Sequence, residues 1–388
     1  MPVLNRISSY ADEMKGWRRW LHRNPELGFD LPKTAAFVAE RLREIGVDEL
    51  HEGIARTGMV ALIRGQAAGP VIGLRADMDA LPMSEETGAD HASETPETMH
   101  ACGHDGHTAM LLGAAKYLVE TRRFAGTVAL IFQPAEEAGG GGRVMCEEGI
   151  MDRFGIEQVY GIHTAPDREA GLFATRAGPL LAAVDDFDIV LTGRGGHAAH
   201  PHTTVDPVAA VVQIATALNT ILARNVDPLD SIVVSVTRIN AGSAYNVIPG
   251  TATLSGTVRC FRKDTQKMVR RRIEEIVAGI GAAMGCEAVL DYRVDYPATV
   301  NHARETEFAA SVAREIVGDD RVDIDAAPRM GAEDFSFMLE SRPGAFLFIG
   351  QGVGPYCHHP EFDFNDEIAP IGASFFARLV ERALPLSD

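Results

Sequence analysis

Cysteine is scarce in this chain: five residues in 388, Cys102, Cys146, Cys260, Cys286 and Cys357, odd in number and far apart. Such thiols do not make a disulfide framework, and they fit a reducing, cytoplasmic setting. Basic charge is also in deficit. The chain has 36 Lys and Arg against 54 Asp and Glu, a formal charge of −18, which argues against the clustered basic face that nucleic acid requires. Long apolar runs are missing, and no window approaches the roughly 18 uninterrupted apolar residues of a membrane span. The opening "MPVLNRISSYADEMKGWRRWLHRNPELGF" carries charges where a signal peptide needs its apolar stretch. The glycine run at 139–142 lacks the lysine and hydroxyl of a phosphate loop, so it is no nucleotide cradle. The expectation is a protein with no nucleic-acid or membrane partner.

What is present reads as a soluble globular chain, 46% hydrophobic and 23% charged. Its 388 residues exceed what one core usually supports, so two domains are expected. In the first half, "MVALIRG" (59–65), "VIGLRADMD" (71–79) and "GTVALIFQ" (126–133) read as buried strands. They alternate with helical segments at 34–45 and from "DGHTAMLLGAAKYLVE". This predicts an α/β domain with a parallel or mixed sheet, whose ligands sit beyond the carboxyl ends of the strands. The middle differs. Strand "DFDIVLTG", helix 205–224, strands "SIVVSVTRI" and "TATLSGTVRC", helix "DTQKMVRRRIEEIVAGIGAAMG" and strand "EAVLDYRV" follow in order. That βαββαβ order is ferredoxin-like. The expected boundaries are 1–183 with 295–388 for one domain and 184–294 for an insertion; "AFLFIGQG" returns to the first sheet.

Chemistry concentrates in "MHACGHDGHTAM" at 99–110, which sets His100, Cys102, His104, Asp105 and His107 in one short segment of a chain with 13 histidines. Thiolate, imidazole and carboxylate are ligands for zinc and related divalent ions. A polar surface run with Asp105 as a helix cap is the plainer alternative, but apolar flanks on both sides favour burial. "FQPAEEAGGGG" places Glu136 and Glu137 directly after a buried strand. On an irregular turn such neighbours point apart and can divide the work of base and ligand. His163 in "YGIHTAP" and His358 in "YCHHPEFDFNDE" are further candidates, each alone more often a structural histidine. His197, His200 and His202 in "GRGGHAAHPH" open the inserted domain, as a contribution to catalysis or as a polar turn. Two rival readings stay open: a cysteine hydrolase with Cys102 as nucleophile and His104 or His107 as base, and a metal- or substrate-binding protein without catalysis.

In order along the chain, "HRNPELGF", "GLRADMDALPM", "MHACGHDGHTAMLLGAA", "FQPAEE", "GRGGHAAHPH", "NVIPGTATLSGTVR", "MGAEDFSFM" and "HHPEFDFND" resemble the N-acyl-amino-acid amidohydrolase family. That group includes hippurate hydrolases, auxin-conjugate hydrolases and N-acetyl-diaminopimelate deacetylases, and is related to carboxypeptidase G and aminoacylase metallohydrolases. The resemblance covers nearly the whole chain. It implies a mixed-sheet catalytic domain holding two divalent ions (zinc, manganese, nickel or cobalt), with the insertion as a lid and dimerisation domain. It implies that Cys102 bridges the ions, that His104 and His163 complete one, and that Glu137 and His358 complete the other. Glu136 matches the general base and Asp79 an aspartate behind the ions, while Asp77 stands where more distant relatives have a metal histidine. His197 matches a lid histidine that reaches the substrate carbonyl across a dimer, and Asn246 and Arg259 match residues touching the substrate. Cys357 lies outside the matched motif and is expected to pack. The implied partners are an N-acyl amino acid and a second copy of the chain, in a homodimer or tetramer.

Overall fold

The computed structural model describes residues 5–386. They divide into two compact units. The first takes the described residues up to Leu180 together with Val300–Ala327 and those from Asp334 on; the second is Leu181–Thr299 with Pro328–Glu333. The short second visit at 328–333 has no counterpart in the sequence reading.

The first unit is built on an eight-stranded mixed sheet. At its centre, strands Ala125–Gln133, Ala67–Asp77, Ile156–Ala165 and Gly344–Gly350 run parallel, side by side in that order. Their carboxyl ends therefore lie along one edge, where α/β sheets open their ligand sites. Glu49–Ile54 and Gly58–Arg64 extend the sheet antiparallel on one side. The central strands are apolar on both faces because helices cover them; Val128 to Phe132 are wholly buried. The strand read from the sequence as 71–79 in fact ends at Asp77. Met78 and Asp79 already turn away, which sets Asp77 and Asp79 in different environments.

The His104–Thr121 helix is buried nearly all round, from His104 through Ala115. Ala11–Arg23 and Ala369–Ala383 pack against it. The core gathers Met14, Met110, Leu111, Tyr160, Phe362 and Phe375 with their neighbours. No helix among the described residues is long and apolar enough to cross a membrane.

The second unit holds a four-stranded antiparallel sheet in spatial order Ile232–Ala241, Thr251–Cys260, Ala183–Thr192, Glu287–Tyr296. Helices Pro207–Leu218 and Lys263–Met284 close its core with Phe187, Leu191, Ile214, Ile273 and Val277. The single helix expected over 205–224 is two, Pro207–Leu218 and Thr220–Arg224, meeting at Asn219. Asp206 caps the first, accepting from the N–H of Val208 at 2.8 Å.

Candidate metal centre

Four stretches meet at the carboxyl edge of the first unit's sheet. Cys102 and His104 flank Gly103, whose φ of +88° lies in the left-handed region. A Cβ at Gly103 would fall 2.6 Å from Thr164 Cγ2, so glycine is required there both for conformation and for space. His104 opens the helix. Its Nδ1–H donates to the Asp79 carbonyl at 2.9 Å, which leaves Nε2 as the nitrogen that carries the lone pair whenever the ring is neutral. That buried Nε2 has no hydrogen-bond partner among the described residues. It faces Glu137 Oε1 at 3.9 Å and Glu136 Oε2 at 4.0 Å.

The turn bearing Glu136 and Glu137 follows the Ala125–Gln133 strand and is held by one side chain. Asp79 Oδ1 accepts from the N–H of Glu136 at 2.9 Å, and its Oδ2 accepts from the N–H of Glu137 at 3.0 Å. Ala135, just before them, is left-handed at φ +56°, a strain of about 1 kcal/mol that persists only where surroundings enforce it. The same device carries His358, at φ +67°. Its N–H donates to the Ala101 carbonyl at 2.7 Å, and its Nε2 lies 3.4 Å from Glu137 Oε1. His359 is used otherwise: its Nδ1 accepts from the N–H of Glu361 at 3.1 Å. On the fourth stretch, His163 Nδ1–H donates to the Thr164 carbonyl at 2.7 Å, and Nε2 approaches Cys102 Sγ at 3.4 Å.

The donor atoms of Cys102, His104 and His163 lie within 4.8 Å of one another, and so do those of Cys102, Glu137 and His358. Two triplets thus share one sulfur. Glu136 joins Glu137 and His104 within the same spacing. Thiol, imidazoles and carboxylates converging on an unpartnered ring nitrogen form a donor set that fits divalent metal ions. Asp77, His104 and His107 also lie close, but His107 is committed elsewhere. Its Nε2 accepts from the N–H of Thr164 at 3.0 Å, and its Nδ1–H donates to Asp77 Oδ1 at 2.6 Å. His107 can be neither ligand nor base, and the cysteine-hydrolase reading loses it.

Charge in the site is balanced among these groups. Burial would lower the His104 imidazole, but the carboxylates of Asp77, Asp79 and Glu137 hold it well above its ordinary value. His358 is raised by its hydrogen bond to Glu137. Burial pushes Glu137 up, yet His358 and His104 leave it below the usual carboxylate range. His163 is driven well down by burial and stays neutral. The Cys102 thiol is raised by its hydrogen bond with Cys357, by burial and by both glutamates. Cys357 therefore does two things, packing against the core as expected and meeting Cys102 through its thiol. A cation held here would displace the thiol proton of Cys102 and the proton that the carboxylates favour on His104 Nε2.

Reasoning from the sequence missed the polar layer beneath. Arg75, 1% exposed, donates to Asp77 Oδ2 at 2.6 Å, to Gln133 Oε1 at 2.9 Å and to Asp334 Oδ1 at 3.0 Å. An arginine inside the apolar run "VIGLRAD" was the available signal, because a buried guanidinium demands partners.

The remaining three expected residues lie in the second unit. His197 is exposed on the two-residue strand Gly196–His197, in register with Val247. Its Nδ1 accepts from the N–H of Ala199 at 3.0 Å, so the ring proton sits on Nε2. Asn246 is its neighbour, its carbonyl accepting from Ala198 N–H at 3.0 Å. Arg259 stands on another strand, half-buried, donating to Thr257 Oγ1 and to the Val258 carbonyl; burial lowers its guanidinium.

Fold and site first define a class: an α/β protein gathering divalent-metal donors beyond the carboxyl ends of parallel strands. The chain belongs to peptidase family M20/M25/M40, whose sequence profile matches residues 73–382. It is 39% identical to the hippurate hydrolase of Campylobacter jejuni over 384 residues, covering 99% of this chain and 100% of that protein. With the N-acetyl-L-cysteine deacetylase of Bacillus subtilis it shares 41% identity over 384 residues, 98% of this chain and 90% of that one. The solved Bacillus subtilis YXEP protein, a dinuclear metal binding peptidase from the M20 family, superposes with a TM-score of 0.85 at 34% identity, covering 97% and 99% of the two chains.

Proposed function

We propose that the chain is a metal-dependent amidohydrolase that cleaves N-acyl amino acids into a carboxylate and a free amino acid. It is a hydrolase of C–N amide bonds, in keeping with its family and with full-length relatives named hippurate hydrolase and N-acetyl-L-cysteine deacetylase. The observation that carries the reading is the pair of donor triplets sharing Cys102, with the Glu136 carboxylate beside them.

In this reading Cys102, His104 and His163 would hold one ion, and Cys102, Glu137 and His358 would hold the other. Thiolate and imidazole favour zinc, nickel or cobalt, and the carboxylate admits manganese. Such ions supply Lewis acidity, lowering the pKa of water toward neutrality and polarising the amide carbonyl. Glu136 takes the proton of the attacking water and gives it to the departing amide nitrogen. Asp79 keeps Glu136 aimed by holding the backbone of both glutamates. The second unit serves as a ferredoxin-like lid and dimerisation domain. From it, the Nε2–H of His197 is the donor to the carbonyl oxygen, acting across the dimer, and Asn246 and Arg259 meet the amino-acid part of the substrate.

The test is Glu136→Gln. Metal content by elemental analysis should be unchanged while turnover of N-benzoyl- and N-acetyl-amino acids falls by about 10²–10⁴. Metal lost together with activity would make Glu136 a ligand and not a base. The trans arrangement has its own check: mixed His197→Ala and Glu136→Gln chains should regain activity that neither has alone.

A further inference from the structure

His107 lies among the ligands and belongs to none of the triplets that share Cys102. It is 1% exposed. Its ring centroid is 4.6 Å from that of His163, at 62°, and 5.5 Å from that of His104. A backbone N–H can only donate, so the 3.0 Å contact from Thr164 N makes His107 Nε2 an acceptor. The proton must then sit on Nδ1, where Asp77 Oδ1 receives it at 2.6 Å. Asp77 is itself anchored by Arg75 at 2.6 Å, and its carbonyl accepts from Thr108 Oγ1 at 2.9 Å. At the other end, the residue that His107 grips offers its own carbonyl to His163 Nδ1 at 2.7 Å. The line runs Arg75, Asp77, His107, Thr164, His163, and it ends on the nitrogen opposite Cys102 Sγ.

We infer that His107 is a positioning residue: by holding Thr164 through its unprotonated Nε2, it fixes which nitrogen of His163 faces the metal and where that nitrogen stands. The inference rests on the proposed two-ion reading, since it assigns His163 as a ligand. Each half of the connection can be cut alone. An asparagine amide nitrogen reaches the place of Nδ1 and can still donate to Asp77, but offers nothing to Thr164. A glutamine amide oxygen reaches the place of Nε2 and can still accept from Thr164, but loses Asp77.

Zinc affinity is measured by competition against a chelating indicator on the whole chain, beside the thermal melting of each metal-free protein. His107→Asn should weaken binding of one ion by about 10–100-fold, while His107→Gln stays within about threefold of the wild type. In the cobalt-loaded form, the thiolate-to-cobalt band of Cys102 should change for His107→Asn and persist for His107→Gln. Two variants with equal affinity, or affinities that merely follow the metal-free melting points, would overturn the inference. A long-range nitrogen–proton spectrum of the wild-type histidines needs no variant: a proton found on His107 Nε2 overturns it as well. Wild-type protein that takes up no zinc would sink the two-ion reading itself, a result distinct from either.

Discussion

Replacing Asp79 with asparagine removes one charge and one acceptor from a carboxylate that serves two backbone donors. Asp79 is 1% exposed and receives the N–H groups of Glu136 and Glu137 at 2.9 and 3.0 Å. Asparagine keeps one oxygen for one of them and turns an NH₂ toward the other. One charged hydrogen bond, worth about 1.5–3 kcal/mol, is lost, and a buried N–H is left unpaired at about 1–3 kcal/mol more. Removing a buried charge offsets part of this, so a net loss of about 2–4 kcal/mol is expected. The strain at Ala135 adds to the tendency of the turn to relax. Urea unfolding of the metal-free protein followed by tryptophan fluorescence measures the effect in the right place. The chain's 2 tryptophans, Trp17 and Trp20, both lie in the Ala11–Arg23 helix of the first unit. Metal uptake should weaken together with stability, because Glu137 is no longer held. An unchanged unfolding midpoint combined with lost turnover would refute the reasoning: Asp79 would then act on the reaction and not on the turn.

Gly103→Ala should destabilise the first unit by about 2–4 kcal/mol, from a left-handed alanine plus overpacking against Thr164, with zinc uptake abolished; the same fluorescence titration and elemental analysis check both. His22 gives a pH dependence. Burial alone would lower its imidazole, but hydrogen bonds with Asp105 at 2.8 Å and Glu85 at 3.3 Å raise it to about 9 from 6.5. Its contribution, on the order of 3 kcal/mol, is therefore complete below about pH 6.5 and lost as pH rises through about 9. His22→Gln should flatten the unfolding midpoint across that window; an equal slope in both proteins would exclude this source. Exhaustive chelation should abolish turnover and lower stability by about 4 kcal/mol for each ion removed, relative to protein in metal at a thousandfold over Kd. Turnover surviving chelation would revive the thiol-nucleophile alternative.

The sequence was most informative where one segment determines its own fate. The buried strands at 59–65 and 126–133, the helix from His104 and the adjacent glutamates after a strand are all written in local periodicity and punctuation. Between the adjacent His358 and His359, the motif's position two residues before the proline picks His358; in the structure His358 lies beside Glu137 while His359 closes a turn on Glu361. His107 was illegible, since a histidine five residues from a metal-type cysteine looks equally like ligand, base or filler. Its role follows from a backbone N–H of residue 164, which no pattern near residue 107 announces. The break at Asn219 escaped for a related reason: the apolar periodicity continues across it, and the change is marked by side-chain bonds from Asn219 to the Ala215 carbonyl at 2.9 Å and from Thr220 Oγ1 to the Ala217 carbonyl at 2.7 Å.

The loop bearing His358 is joined to Ala101 by a main-chain bond, and the two lie in segments of the first unit that the second unit separates along the chain. During synthesis, the stretch with Cys102 and His104 emerges long before its counterpart, and the whole second unit is made in between. A newly made chain can therefore expose a reactive thiol and an imidazole for the entire time it takes to reach residue 358. Any cation captured in that interval would be held by an unfinished set of ligands. If His358 completes the ligand set as proposed, selection of the proper metal becomes a matter of timing as much as affinity, decided when the last loop swings in and not when the first sulfur appears.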